Sequence, residues 1–496
     1  MPSAALMPAP ASQRRLTKRR ILCGAAALLA LLLAWQVYDI LTGKPDPKID
    51  YATQFYELSA SAQPEGENAW PLLVEVLDRV AVATSRLAQN REATQRFTDG
   101  TSMPGSFSDL TYQPGTSRKV RPHRAALAEL DRDGTFDLLA RVASMPRCVR
   151  PHITGTPFHE AHRAQIWPHL ASHRHLARLQ TARFAVAAHN DDWTEYLAAA
   201  DQSLAVLRFL EHQPSLLEHL IAVACIDLML SEIRLTLVEW RVNEHTARSL
   251  LSIIDRRLDL PPPEHVLAGE RMLYLDQLQH TYTSSGRLPI SSFGQFTAQA
   301  NNPILVPAAG AGMSAREAAA EVSAILIPGR SGAERLYEEY FNEALRLTRV
   351  PGNPRDAGNW QTWSTTLPLH QIVVRATTFD PGALAASWQG THHSIAATRL
   401  MLGLQIYIRR HGRAPASLDD LVPECLPEIP VDPLNGKGWG YRLRGPSASI
   451  ASYDLWSFGR DGEDNNCYEG DGGPRHTPGT DIWINRPRSI PEGLMR

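Results

Sequence analysis

The stretch LLEHLIAVACIDLMLSEIRLTLV, residues 216–238, decides the fold class. Leu217, Leu220, Ile221, Ala224 and Leu228 recur at the three-and-four spacing of one helix face. The segment is oily enough to be mistaken for a membrane span. Glu218, Asp227, Glu232 and Arg234 interrupt it, which predicts a helix of a water-soluble core.

The same periodicity recurs on both sides of this stretch. Trp193 to Leu210 places Leu197, Ala200, Leu204 and Leu207 at helix spacing, and Gln213-Pro214 stops it. The turn at residues 189–192 joins it to a helical pattern over 169–188. Downstream, Thr246 to Leu258 carries Ala247, Leu250, Leu251 and Ile254 on one face, and the prolines at 261–263 end it. Further helical patterns cover 68–87, 125–143, 315–326 and 334–347, while 98–122 and 284–312 read as loops. Helices joined by short turns are antiparallel neighbours. The hairpin around Asn190 resembles a tetratricopeptide unit, with Trp193 after the turn and Pro214 near its end. No clean repeat period follows. The expected class is mainly α, an α-α superhelix or irregular bundle.

Residues 21–38 contain no charge and are dominated by Ala and Leu. Such a run nearly spans a hydrocarbon core of about 30 Å. Arg14, Arg15, Lys18, Arg19 and Arg20 precede it, and Trp35 and Tyr38 sit at its distal end. Basic residues on the N-terminal flank predict a cytoplasmic N-terminus, with the bulk periplasmic on a single-pass inner-membrane anchor. A cleaved signal peptide has the same charge order, but no small-x-small site follows the apolar run. The expected organisation is a basic tail (1–20), a transmembrane helix (21–41), a helical body (51–350), a linker or irregular segment (351–390) and a small α+β unit (391–496).

In the last unit, an amphipathic helix over 394–410 leads into Gly412, Pro415, Ser417, Leu418 and Leu421, where Ser417 suits the cap of a short helix. Pro430, Asp432, Pro433 and Gly436 form a turn, and short strands are expected at 440–443, 452–458 and 481–485. Tyr453, Asp454, Leu455, Ser457, Gly459, Asp461 and Gly462 follow, then Asp481 and Ile482. This order resembles the globular part of the major pseudopilin of type II secretion, over about a fifth of the chain. The pseudopilin processing site is missing, since Arg20-Ile21 stands at the head of the apolar run. More loosely, the whole chain resembles uncharacterised membrane-anchored proteins of planctomycete-type bacteria.

The pseudopilin resemblance implies a calcium site with Asp461 and Asp481 as ligands and Asp464 beside them. Glu463, Asn465, Asn466 and Asp471 add oxygen donors nearby. The loop is not an EF-hand, and Asp, Asn and Gly are equally the residues of a solvated turn. His152, His159, His162, His169, His173 and His175 cluster without a metal-ligand motif, and read as polar helix-surface residues. Five cysteines form no C-x-x-C pair. Cys225 is expected as a buried thiol, and a Cys425–Cys467 bridge stays open. A formal charge of -2 offers no electrostatic footprint for nucleic acid. No nucleophile elbow, phosphate loop or dinucleotide fingerprint occurs. The sequence therefore points away from an enzyme and toward a tethered scaffold with a protein partner. An envelope hydrolase and an accessory part of a secretion or pilus system remain as alternatives.

Overall fold

An apolar helical stretch with no polar face has nothing to gain from water, and the first element contains one. In the computed structural model, α1 (Ala11–Thr42) contains a 20-residue apolar stretch, Cys23–Thr42, of which only 6% is buried. The structure describes residues 11–95, 127–154, 157–289, 292, 329–352, 367, 371–378, 380–444, 452–464 and 481–485.

The protein is mainly helical. After α1 come α2 (Tyr51–Ser61), α3 (Trp70–Gln95), α4 (Thr135–Ser144), α5 (Phe158–His189), α6 (Trp193–Glu211), α7 (Leu216–Glu239) and α8 (Glu244–Arg257). Then follow α9 (Pro263–Thr281), α10 (Arg330–Arg349), α11 (Ile372–Thr377) and α12 (Pro381–His411). A 3₁₀ turn (Leu418–Leu421) precedes β1 (Gly440–Leu443), β2 (Tyr453–Ser457) and β3 (Ile482–Trp483). The helix expected at 315–326 and the loop at 98–122 lie outside the described residues. The chain divides into two compact units. One comprises Met1–Ile49, Tyr274–Glu339 and Gln361–Phe379; the other comprises Asp50–Leu273, Tyr340–Trp360 and Asp380–Arg496.

The larger unit is built around α7, which packs on α5, α6 and α12. Its burial matches the stripe expected from the sequence only in part. Ile221 is buried, but Leu217, Leu220 and Leu228 are only half-buried and Ala224 is exposed, while Leu216, Ala222, Ile226, Met229 and Ile233 are covered. A helix with apolar residues on every side selects no single face; which sides are covered is decided by its neighbours. On α6 and α8 the expected faces do point inward, with Ala200, Leu204, Leu207, Ala247, Leu250 and Ile254 buried. Asp192 and Asn243 cap these two helices by accepting from Glu195 N (3.1 Å) and Thr246 N (2.8 Å). A second cluster joins Leu73, Val76, Leu77 and Val80 of α3 to Leu139 and Val142 of α4 and Phe209 of α6.

The α5 helix begins eleven residues earlier than the periodicity predicts, at Phe158 rather than His169, and runs through Pro168. Proline deletes one backbone hydrogen bond. Here the deletion faces water, because Pro168 and its neighbour Trp167 are exposed. The opposite side carries Phe158, His162, Ile166 and Leu170, four residues apart and all buried, and this stripe holds the helix together.

The C-terminal elements share the same core. Leu400, Leu404 and Ile408 of α12 join one continuous cluster with α5–α8 and with Leu421, Leu426, Trp439, Tyr453 and Leu455. The α12 helix opens upstream of the expected start because Asp380 caps it at Gly382 N (2.8 Å) and Pro381 occupies its first turn. The strands form an antiparallel sheet in the order β1-β2-β3, with Tyr441 opposite Leu455 and Trp456 opposite Trp483.

Candidate functional site

The polar residues that interrupt the oily α7 are where the unusual chemistry lies. Glu218 occupies the first turn of α7 and is wholly buried, as is His219 beside it. Arg150 arrives from the segment that precedes α5, and that segment is held by three amide side chains. Asn68 brackets Val149, accepting from its N (2.8 Å) and donating to its O (2.6 Å). Gln63 accepts from Cys148 N (2.6 Å), and Gln213 donates to Cys148 O (2.9 Å). Held this way, Arg150 forks onto both carboxylate oxygens of Glu218, with Nη1 to Oε2 at 2.9 Å, and lies over the Trp70 ring at 4.9 Å.

Burial pushes the Glu218 carboxyl up, against the pull of Arg150. Removing either partner would leave an unpaired charge in the core, which typically costs about 3–5 kcal/mol. Next along α7, His219 Nδ1 and Glu211 Oε2 are 2.7 Å apart, and the His219 ring stacks on Trp388 of α12 (4.9 Å between centroids). Glu270 accepts from Leu216 N (3.1 Å) at the head of α7, and burial raises its pKa as well.

Beside Arg150 lies a small niche of about 20 Å³, lined by Phe55, Tyr56, Ser59, Phe158, His162 and Gln213 among others. The His162 ring sits between Phe55 (4.8 Å) and Phe158 (5.7 Å), and among the described residues neither of its nitrogens meets a hydrogen-bond partner. Burial, with Arg150 and Arg163 nearby, pushes its pKa down to about 3. The imidazole is therefore neutral at any ordinary pH. The niche has room for a water molecule, far less than the roughly 300–1,000 Å³ of a small-molecule site. The Cys148 thiol is buried and pushed up to about 12, so it is no nucleophile at neutral pH. Arg150 is neutralised internally by Glu218. What this layer does chemically is fix a helix core around the internally paired Arg150 and Glu218.

Sequence reading treated the histidines of this region as surface residues, and the structure corrects it: His159, His162 and His173 are buried. His173 Nδ1 lies against its own helix, 2.9 Å from His169 O. The signal that could have exposed them was the four-residue spacing Phe158–His162–Ile166, hidden by Pro168.

The acidic residues named for calcium are placed as follows. Asp461 Oδ1 accepts from Glu463 N (3.0 Å), and Asp464 Oδ1 accepts from Trp456 Nε1 (3.1 Å). Asp481 directly precedes β3. Asn465, Asn466, Cys467 and Asp471 lie outside the described residues. Among the described residues, no three His, Cys, Asp or Glu side chains are grouped to hold a metal ion. Cys225 and Cys425 are buried, and neither is bridged among the described residues.

A different acid ties the C-terminal motif together. Asp432, fully buried, accepts from Leu434 N (3.0 Å), Asn435 Nδ2 (2.9 Å) and Ser457 Oγ, and its Oδ1 lies 2.9 Å from His393 Nδ1 on α12. Gly436, at φ 72°, closes the turn by donating to Asp432 O (2.8 Å), a conformation suited to glycine. Burial works to raise the Asp432 pKa, but the bonds from His393, Ser457 and Leu434 outweigh it and hold the group below its ordinary value. The Pro-x-Asp-Pro-x-x-Gly and Ser-x-Gly stretches are thus two halves of one hydrogen-bonded knot. In comparisons with protein families, curated proteins and solved structures, nothing matches the chain.

Proposed function

We propose that the chain is a membrane-anchored extracytoplasmic scaffold, held in the cell inner membrane by its N-terminal helix and working through contact with a protein partner. The carrying observation is the exposure of Cys23–Thr42, whose Leu28, Leu29 and Leu31 stand 60%, 58% and 69% open. Apolar surface of this extent costs about 25 cal/mol per Å² in water, and a bilayer removes that cost. The basic flank of Arg14, Arg15, Lys18, Arg19 and Arg20 supports a cytoplasmic N-terminus and a periplasmic bulk.

For the C-terminal elements we keep the pseudopilin-like reading. It is supported by the succession of a long helix, a 3₁₀ turn, the Asp432 knot and an antiparallel sheet. Calcium at Asp461, Asp464 and Asp481 belongs to the same reading. A place as an accessory part of a secretion or pilus system would follow from it.

Alkaline carbonate extraction of membranes, followed by protease treatment of spheroplasts, tests the anchor and its direction. The chain should stay in the membrane pellet, and external protease should digest the bulk. Release into the carbonate supernatant, or a protected bulk, would overturn the proposal.

A further inference from the structure

The distal end of the apolar helix is not free. Asp39, in the last turn of α1, is only 9% exposed although it follows eighteen residues without charge. Its carboxylate accepts from Thr283 Oγ1 (3.0 Å) and from Ser285 Oγ, and Arg287 Nη1 lies 3.7 Å away. The turn that supplies these donors is itself tied: Arg287 N donates to Thr283 Oγ1 (3.2 Å), and Arg287 Nη1 to Ser285 Oγ (2.9 Å).

Ile40 is buried next to Asp39. Gly43 passes so close that a Cβ there would fall 2.3 Å from Asp39 O and 2.8 Å from Thr283 Cγ2. Ser284 N donates to Lys44 O (3.3 Å). Gln279 then brackets the end of the segment, accepting from Lys48 N and Ile49 N (3.2 Å each) and donating to Ile49 O (2.8 Å). The stretch after the anchor is therefore fastened along its length to residues 279–287, more than two hundred positions away in sequence.

The depth of this joint follows from Trp35 and Tyr38. Both remain more than half exposed, and such rings settle in the headgroup layer. Asp39 is about one helical turn, ~5.4 Å, beyond Trp35. The guanidinium of Arg287 lies over the Trp35 ring itself, 4.9 Å from its centroid. Arg287 and Trp35 must then share one level.

We infer that the Thr283–Arg287 turn is a membrane-interface contact: it closes on the last turn of the anchor and lies in the phospholipid headgroup layer, so that the anchor enters its folded unit through a fixed joint. The partner is the bilayer interface of the protein's own membrane. The inference rests on the reading of α1 as an anchor and adds a second, distant segment to the membrane contact.

The test uses the full chain with Cys23→Ser and Cys467→Ser and a small fluorophore on Ser284→Cys, an exposed position. It is reconstituted in phosphatidylcholine–phosphatidylglycerol vesicles carrying a nitroxide on the headgroup or at mid acyl chain. Failure to float with vesicles would remove the anchor reading itself. In floating protein, the headgroup nitroxide should quench position 284 about twofold more strongly than the mid-chain one, as for a belt aromatic. Floating protein with no headgroup quenching overturns the interface contact. Asp39→Ala and Arg287→Ala should each at least halve the quenching with flotation unchanged. Unchanged quenching in both variants overturns the joint.

Discussion

Replacing His162 by Phe should remove a definite part of the protein's acid sensitivity. The ring is 1% exposed, wedged between Phe55 and Phe158, with a folded pKa pushed down to about 3 against an ordinary value of 6.5. The unfolded chain takes up a proton near pH 6.5, which the folded protein refuses until about pH 3. Stability from this group is therefore complete above pH 6.5 and falls as the pH is lowered through that window. At 1.36 kcal/mol per unit, the loss at pH 5 is about 2 kcal/mol, and across the whole window about 5 kcal/mol. His173, pushed down to about 4, contributes with the same sign, so the measurement must be a difference between variant and native protein. Urea unfolding of the detergent-solubilised chain at about pH 7.5 and pH 5 supplies it. The native protein should lose about 2 kcal/mol more than His162→Phe between the two conditions. Equal losses would show that His162 is protonated in the fold, and the argument from its burial would fail. His162→Leu serves as the second variant if the larger ring does not fit.

Arg150→Met and Glu218→Leu should each destabilise the protein by about 3–5 kcal/mol, and the double variant should recover most of that; a double variant no better than the sum of the singles would deny the pairing. Gly269→Ala would put a Cβ 1.8 Å from the backbone oxygen of Pro214, so a loss of about 1–3 kcal/mol is expected by urea unfolding, and an unchanged midpoint would contradict that close approach. Asp432, held below its ordinary 3.8, stabilises the fold fully above that pH and loses its contribution as the pH falls through the lower folded value. Asp432→Asn should accordingly flatten the stability curve below about pH 4; an unaltered curve would refute the role of the knot. Calcium should raise the melting temperature of the full chain, EDTA should reverse the rise, and Asp461→Ala should abolish it; indifference of the native chain to both reagents would remove the calcium proposal.

Much of the architecture is local and so was readable from the chain. The stops at Pro214 and the Pro261–Pro263 run and the faces of α6 and α8 all follow from interactions within a few residues. The strand at 440–443 matches β1 residue for residue. The apolar character of residues 21–38 is likewise a property of composition alone. Tertiary structure decided the rest. Which sides of α7 are covered depends on α5, α6 and α12, because apolar residues stand on every side of it. The continuation of α5 through Pro168 depends on a buried stripe whose partners lie elsewhere in the chain. Glu218 appeared in the sequence only as an interruption to an oily helix, and acquires its meaning from Arg150, sixty-eight residues upstream. Asp39 likewise finds its partners, Thr283, Ser285 and Arg287, only through the folded chain. A side chain's periodicity records its neighbours along the helix; the partner of a buried charge is chosen by the folded chain, and no local pattern carries that choice.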